Sequence, residues 1–154
     1  MKETEYDNIE QPQGWDERLK WVTEKFDEIK IPTPIDRNPD DLTLDYLELV
    51  MMENDRLFIE LGSLYGKAYK LKIIAERWYD IMKEDGLLEA NQDEKLKSEK
   101  VRKAYAEKKA RPFKERFDSA KTIHELIRIE RSNFYKQSKT HAELSNIIKK
   151  TRYQ

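Results

Sequence analysis

The sequence contains no cysteine, only two histidines, four glycines and five prolines. Without cysteine there is no disulfide, no thiolate zinc site and no thiol nucleophile, a composition typical of the reducing cytoplasm, where we expect this protein to act. So few glycines and prolines exclude a collagen-like chain and disfavour a turn-rich all-β fold. No apolar run approaches the ~18 residues that a membrane span requires, so we expect no membrane partner.

Charge, by contrast, is abundant: 40% of the 154 residues are charged, and the formal net charge is −1. This near-neutral total is a cancellation. Residues 1–94 carry 12 Lys and Arg against 24 Asp and Glu, a net of −12, whereas residues 95–154 carry 18 against 7, a net of +11. An asymmetry of this size indicates a charged partner or an internal electrostatic clamp.

The N-terminal part of the chain predicts an acidic arm, residues 1–42, that precedes a main domain of residues 43–154. Apolar residues recur every three or four positions from Trp15 to Ile29, which predicts a short amphipathic helix over about 15–30. Pro32, Pro34 and Pro39 follow and favour an extended linker.

The first half of the main domain predicts one long helix over about 44–85. Thr43 suits an N-cap, Leu42 can pack on Leu47 as a hydrophobic staple, and Gly86 is a natural residue to end the helix. The apolar seam follows a heptad repeat, which is the spacing of a coiled coil. Its members are Leu47, Val50, Asn54, Leu57, Leu61, Leu64, Ala68, Leu71, Ala75, Trp78 and Met82.

A second long helix is predicted over about 92–148, with Asn91 and Glu94 as its cap and a kink near Pro112. Its apolar stripe is Phe113, Phe117, Ala120, Ile123, Ile127, Phe134, His141, Leu144 and Ile148. The predicted fold class is therefore all-α: an elongated antiparallel helical hairpin that turns around residues 86–90, plus the short N-terminal helix. Two helices cannot hide all the aromatic rings between them, so we expect a homo-oligomer or a protein partner.

Catalysis finds little support in this sequence. His124 and His141 are seventeen positions apart, and neither belongs to a metal-binding motif such as His-Glu-x-x-His. Gly-rich phosphate loops and Gly-x-Ser-x-Gly elbows are also missing. We therefore predict a protein that is not an enzyme, with no catalytic residues, no metal and no cofactor, and both histidines as packed or partly exposed helix residues.

Three residues of the first long helix have two interpretations each. Gly62 and Gly66 predict close approach of another helix or backbone, or they are simply tolerated. Asn54, the one polar residue of the seam, either fixes register or oligomeric state or lies at a wet end of the seam. The residues predicted to carry helix packing or oligomerisation are Asn54, Leu57, Leu61, Gly62, Leu64, Gly66, Leu71 and Trp78.

The densest basic stretch, Lys95 to Arg116, is the candidate binding surface. With a turn centred near residue 88, Lys70 would lie opposite Glu107 and Lys67 opposite Ala110, giving an uncompensated patch of about +8 that suits an anionic polymer. Nearby aromatic rings could stack on unpaired bases. The predicted nucleic-acid-binding residues are Lys67, Lys70, Lys100, Arg102, Lys103, Lys108, Lys109, Arg111, Tyr105 and Phe113. The alternative is a solvated helix face that the acids of the facing helix neutralise.

The long segment LELVMMENDRLFIELGSLYGKAYKLKIIAERWYDIMKEDG and the later HELIRIERSNFYKQSKTHAELSNIIKK resemble small all-helical phage proteins of the recombination module, in particular the phage recombination mediator (UvsY-type) family. The resemblance covers roughly residues 43–150 and rests on pattern. It implies an oligomer in the host cytoplasm that binds single-stranded DNA and helps to load a recombinase, with the cations of residues 100–111 as phosphate contacts. The acidic first 45 residues depart from that family's pattern.

Two function classes therefore follow from the sequence. The first is a non-enzymatic accessory protein that binds single-stranded DNA or RNA through its basic helix. The second is a protein-interaction module, for instance a phage-encoded inhibitor whose arm, with a net charge of −7 over residues 1–45, imitates nucleic acid. A structural or scaffolding role in a virion is a further alternative, suggested by the coiled-coil pattern.

Overall fold

The computed structural model describes residues 14–29 and 43–152, and these residues form three α-helices and no strand. Helix α1 is Trp15–Glu28, α2 is Leu44–Gln92 and α3 is Glu99–Arg152, with 14, 49 and 54 residues. The predicted all-α fold of one short and two long helices is confirmed. The proline-rich linker, the staple residue Leu42 and most of the acidic arm lie outside the described residues.

The chain divides into two compact units, each of which pairs a segment of α2 with a segment of α3. The described part of the first unit is residues 14–22 and 67–124, and that of the second is residues 23–29, 43–66 and 125–152. In the first unit Gly86 lies against Ala106 and Tyr69 against His124. In the second unit Leu47 packs with Ile148, and Asn54 lies beside His141. The α2 and α3 segments are therefore antiparallel in each unit.

The heptad seam of α2 is the face that α2 buries. Eight of its eleven predicted members are buried, and the other three, Val50, Trp78 and Met82, are partly buried. On α3 the largest fully buried side chain is Phe134, which is 1% exposed. Burying a Leu or Phe side chain contributes about 1.5–3 kcal/mol, so this seam is the main source of stability. The α2 seam packs against α3 of the same chain, so the coiled-coil spacing serves an intramolecular contact.

The N-terminus of α2 begins where the sequence predicts. The Thr43 hydroxyl accepts a hydrogen bond from the backbone N–H of Tyr46 at 3.2 Å, and the Thr43 carbonyl accepts one from the N–H of Leu47 at 3.1 Å. Asp45 lies in the first turn, where a negative charge is favourable beside the helix N-terminus. The side chain of Thr43 thus satisfies a backbone donor that would otherwise lack a partner.

The predicted helix stop at Gly86 is wrong, because α2 continues to Gln92. Gly86 has an ordinary helical backbone and is buried where α3 crosses α2 closely. A Cβ placed on it would lie 2.8 Å from the Cα of Ala106. Glycine is present here because the neighbouring backbone leaves no room for a side chain, which is a different requirement from the left-handed conformation of a helix C-terminus.

The turn between the long helices accordingly lies at residues 93–98, after the predicted turn at 86–90. Asn91 belongs to α2, so the predicted cap of the second helix is also wrong. Ser98 takes that role: its hydroxyl accepts from the N–H of Val101 at 3.2 Å and its carbonyl from that of Arg102 at 3.0 Å. Helix α3 then runs through Pro112 without a break.

Asn54 in the second unit is 1% exposed, which excludes the wet-end interpretation. Its amide nitrogen lies 3.0 Å from Nδ1 of His141, itself 4% exposed. Because an amide nitrogen can only donate, Nδ1 accepts this bond, and the neutral ring carries its proton on Nε2. Burial lowers the pKa of His141 from its ordinary value. The pair links α2 to α3 at one position and so specifies register within the hairpin.

The glycine pair of α2 does not bring two backbones together. At Gly62 the nearest neighbour of an added Cβ would be the guanidinium of Arg131, 3.5 Å away. That guanidinium lies 4.8 Å from the ring centroid of Phe58 and 5.8 Å from that of Tyr65. Gly66 has no atom of the described residues within 4 Å of the same point. Gly62 therefore accommodates an arginine that packs on two rings, whereas Gly66 is simply tolerated.

Candidate nucleic-acid interface

The basic stretch forms the turn at 93–98 and the first five turns of α3. Asp93 accepts a hydrogen bond from the backbone N–H of Lys95 at 2.9 Å, and the carbonyl of Asp93 accepts one from Leu96 at 3.1 Å. The Arg102 guanidinium donates through Nε to the carbonyl of Leu96 at 2.7 Å. Arg102, a predicted phosphate contact, therefore helps to close the turn.

The hairpin register assumed from the sequence is wrong by about two heptads. Tyr69 packs on His124, with ring centroids 5.6 Å apart, so Lys70 faces the region of His124. The expected neighbour was Glu107, which instead lies 3.3 Å from Lys83. As a result, the cations of α3 near the turn face the acidic last part of α2.

Ion pairs then neutralise part of the predicted patch. Glu89 accepts hydrogen bonds from Lys109 and, at 3.1 Å, from the Tyr105 hydroxyl. Lys109 first and Tyr105 second lower the pKa of the Glu89 carboxyl below its ordinary value. Lys103 pairs with Glu99 at 2.7 Å along α3. Over residues 80–116, the segment that holds the turn and these pairs, there are 11 Lys and Arg against 9 Asp and Glu, a net of only +2.

Even so, one face of α3 retains its cations. Ala106 and Ala110 are 1% and 0% exposed and mark the side of α3 that packs on α2. Lys100, Lys108 and Arg111 are exposed on the other side of the helix, and none of them forms an ion pair with another described residue. We call these three residues the α3 basic face. Because the acids of α2 lie behind the helix, they do not cover this face.

The two predicted stacking aromatics differ in their accessibility. Tyr105 is 39% exposed and precedes Lys108 by one helical turn, while its hydroxyl is held by Glu89. Phe113 instead stacks on Trp78, with ring centroids 5.9 Å apart and planes at 19°, and Arg116 covers it at 5.6 Å. Tyr105 thus presents a ring beside the α3 basic face, whereas Phe113 belongs to the packing between α2 and α3.

Lys67 and Lys70 lie apart from the α3 basic face, in a groove between α1 and α2. Since Lys70 faces the region of residue 123, about 18 Å of helix separates that level from Arg111 at 1.5 Å per residue. The predicted set therefore divides into two basic surfaces. The sequence analysis did not predict Arg18 and Trp21 of α1 as groove residues. Both lie outside the apolar stripe of α1, and the sequence does not show which part of the protein such residues contact.

Most of the residues predicted to carry helix packing or oligomerisation are buried. Asn54, Leu57, Leu61, Leu64 and Leu71 are between 0% and 7% exposed. Trp78 packs on Phe113, as described above. Whether any of these residues also contributes to an oligomer stays a prediction.

The described residues contain no group of three or more His, Cys, Asp or Glu side chains that could hold a metal ion. His124 is 8% exposed and packs at a tilt of 46° on Tyr69 in the first unit, while His141 belongs to the second unit. Both histidines are packed helix residues, as predicted. Among the described helices, none is long and apolar enough to cross a membrane.

Comparison of the chain with protein-family models, with curated proteins and with solved structures found no match. The resemblance to the recombination mediators therefore stays a prediction.

Proposed function

We propose that this protein is a non-enzymatic accessory protein that binds single-stranded nucleic acid through the α3 basic face. The observation that carries the proposal is the exposure of Lys100, Lys108 and Arg111 on one side of α3, without a carboxylate partner among the described residues. Such a row of cations binds phosphates and releases their counterions. A role as a recombination or replication mediator is the form of this function that the family resemblance suggests.

Preference for single strands follows from Tyr105. Its ring is exposed one turn from Lys108, and the hydrogen bond to Glu89 restrains the ring at the edge of the face. An unpaired base can stack on such a ring, whereas a base inside a duplex cannot. Phosphate contact and one stacking position require no catalytic group.

The affinity for a single strand should fall as the salt concentration rises, and the slope of this dependence reports the number of phosphate contacts. Three to five phosphate contacts give a slope of about −2 to −3.5 for log affinity against log salt on a single strand. Binding should then weaken about 20- to 130-fold between about 50 and 200 mM salt. Fluorescence anisotropy of a labelled single-stranded oligonucleotide measures this slope directly.

The decisive variant reverses the α3 basic face: Lys100→Glu, Lys108→Glu and Arg111→Glu together. Its matched control reverses three exposed lysines of α3 in the second unit, Lys136→Glu, Lys139→Glu and Lys149→Glu, with the same change of net charge. We expect the first variant to lose binding and the control to retain most of it. Equal loss in both would show that only total charge matters, and absence of binding at low salt in the unmodified protein would end the proposal.

A protein-interaction module is the second candidate, and an apolar stripe on α2 favours it. Leu49, Met52 and Ile59 are 67%, 70% and 71% exposed, and with Arg56 they follow steps of three and four residues. This second heptad-like stripe is suited to another helix. Oligomeric mass, measured with and without single-stranded DNA, distinguishes self-association through this stripe from a monomer that binds only nucleic acid.

A further inference from the structure

The groove between α1 and α2 is built on a firmly anchored helix. Trp15 of α1 is 5% exposed, and its indole N–H donates to the carbonyl of Leu71 in α2 at 3.2 Å. Asp16 pairs with Arg116 of α3 at 3.2 Å. Because α1 is attached in this way to both long helices of the first unit, the groove beside it has defined walls.

The floor of the groove is apolar. Val22 and Leu71 are 2% and 4% exposed, Ile74 is partly buried, and Trp21 is 43% exposed. The groove has a volume of about 610 Å³, which falls in the range of about 300–1,000 Å³ that is usual for small-molecule sites. An apolar ligand body would therefore remove further side-chain surface from water, above all that of Trp21.

The rim of the groove is positive. Of the described residues that line it, Arg18, Lys67 and Lys70 are basic and Glu17 alone is acidic. The ammonium of Lys67 lies 4.4 Å from the centre of the Trp21 ring, and it forms no ion pair with a carboxylate of the described residues. A cation on a ring is attracted more weakly than a cation that shares a hydrogen bond with an anion.

We infer that this groove binds an amphipathic organic anion, that is, a compact apolar body carrying one phosphate or carboxylate. The body would lie on Trp21, Val22, Leu71 and Ile74, and the anionic head would lie between Arg18, Lys67 and Lys70. A nucleoside monophosphate and a medium-chain fatty acid share this chemistry. The inference concerns a different surface from the α3 basic face and does not depend on nucleic-acid binding.

Isothermal titration calorimetry of the full chain tests the inference with three probes: adenosine monophosphate, decanoate and inorganic phosphate. We expect at least one organic anion to bind at least about 10-fold more tightly than phosphate, because only the organic anions cover the apolar floor. Tighter binding of the nucleotide identifies a nucleotide site, and tighter binding of decanoate identifies a site for acyl carboxylates. Equal affinity for all three probes, or no binding, overturns the inference.

The variant Arg18→Glu with Lys67→Glu should weaken binding of the organic anion by about 10-fold or more. It removes two cations that would donate charge-assisted hydrogen bonds to the anionic head, and such bonds are stronger than those between neutral groups. Its matched control, Lys136→Glu with Lys139→Glu, makes the same number of charge reversals in the second unit and should bind normally. Circular dichroism checks that both variants remain helical. Equal weakening in both variants would overturn the site. Binding of single-stranded DNA by the groove variant reports separately on the proposed function.

Discussion

Gly86→Ala is the substitution for which the tertiary structure and the local sequence predict opposite signs. In a helix interior, replacing Gly with Ala contributes about 1 kcal/mol of stability through helix propensity and the reduced entropy of the unfolded chain. At Gly86 the added methyl would meet the Cα of Ala106 at 2.8 Å and its Cβ at 3.2 Å. Because the first of these atoms is backbone, relief of the clash requires α2 and α3 to move apart.

The magnitude follows from the surrounding packing. Overpacking of a well-packed site costs about 1–3 kcal/mol, and separating the helices also loosens Ala90 and Ala110, both 0% exposed. After the propensity gain is subtracted, Gly86→Ala should lower the free energy of unfolding by up to about 2 kcal/mol. Gly66→Ala is the matched control, since no atom of the described part of the chain lies within 4 Å of its added Cβ. It should raise the free energy of unfolding by about 0.5–1 kcal/mol.

Urea denaturation followed by circular dichroism at 222 nm measures both variants against the unmodified protein. The two substitutions should move the midpoint in opposite directions while the slope m stays unchanged, because the exposed surface on unfolding is the same. If Gly86→Ala proved as stable as Gly66→Ala, the close approach of α3 to Gly86 would be refuted, and with it the register of the first unit.

Two further predictions concern buried polar groups. Since burial lowers the pKa of His141 in the folded state, the unfolded chain binds the extra proton first as the pH falls below about 6.5. The free energy of unfolding should therefore decrease as the pH falls below that value, by at most about 1.4 kcal/mol per pH unit from this group. Urea titrations of His141→Gln should lack this contribution. Identical pH dependence of the two proteins would contradict the buried, neutral state of His141. Trp15→Phe removes the indole donor to Leu71 and should cost about 0.5–1.5 kcal/mol in the same assay, whereas Trp21→Phe, at a ring 43% exposed, should cost less; equal costs would argue against the anchored α1.

Local signals predicted the helices well. The cap at Thr43 and the heptad seam on α2 depend on backbone donors and on side-chain period, which are properties of short segments. Gly86 shows the limit of such reasoning. A glycine near the end of an apolar stripe is compatible both with a helix terminus and with a close crossing, and only the position of Ala106 on α3 distinguishes them.

The candidate binding surface was less predictable, because it depends on register. A heptad pattern matches itself after a shift of seven residues, so the apolar seam alone does not determine which turn of α3 faces which turn of α2. The contacts of Gly86 with Ala106 and of Asn54 with His141 fix that alignment in the two units. The shift of about two heptads places Glu89 beside Lys109 and moves Lys70 away from the basic stretch of α3, so that it lines the groove beside α1.

By itself, the sequence determined that this protein is helical, where most of its helices begin, and which face of each helix is buried. These features depend on hydrogen-bonded turns and on the period of apolar residues, both of which are properties of short segments of the chain. Only the tertiary structure decided which charges meet. Lys109 is neutralised by Glu89 of the other long helix, Lys100 and Lys108 stay exposed, and Lys67 lines a groove, because these outcomes depend on distances between segments that are far apart in sequence.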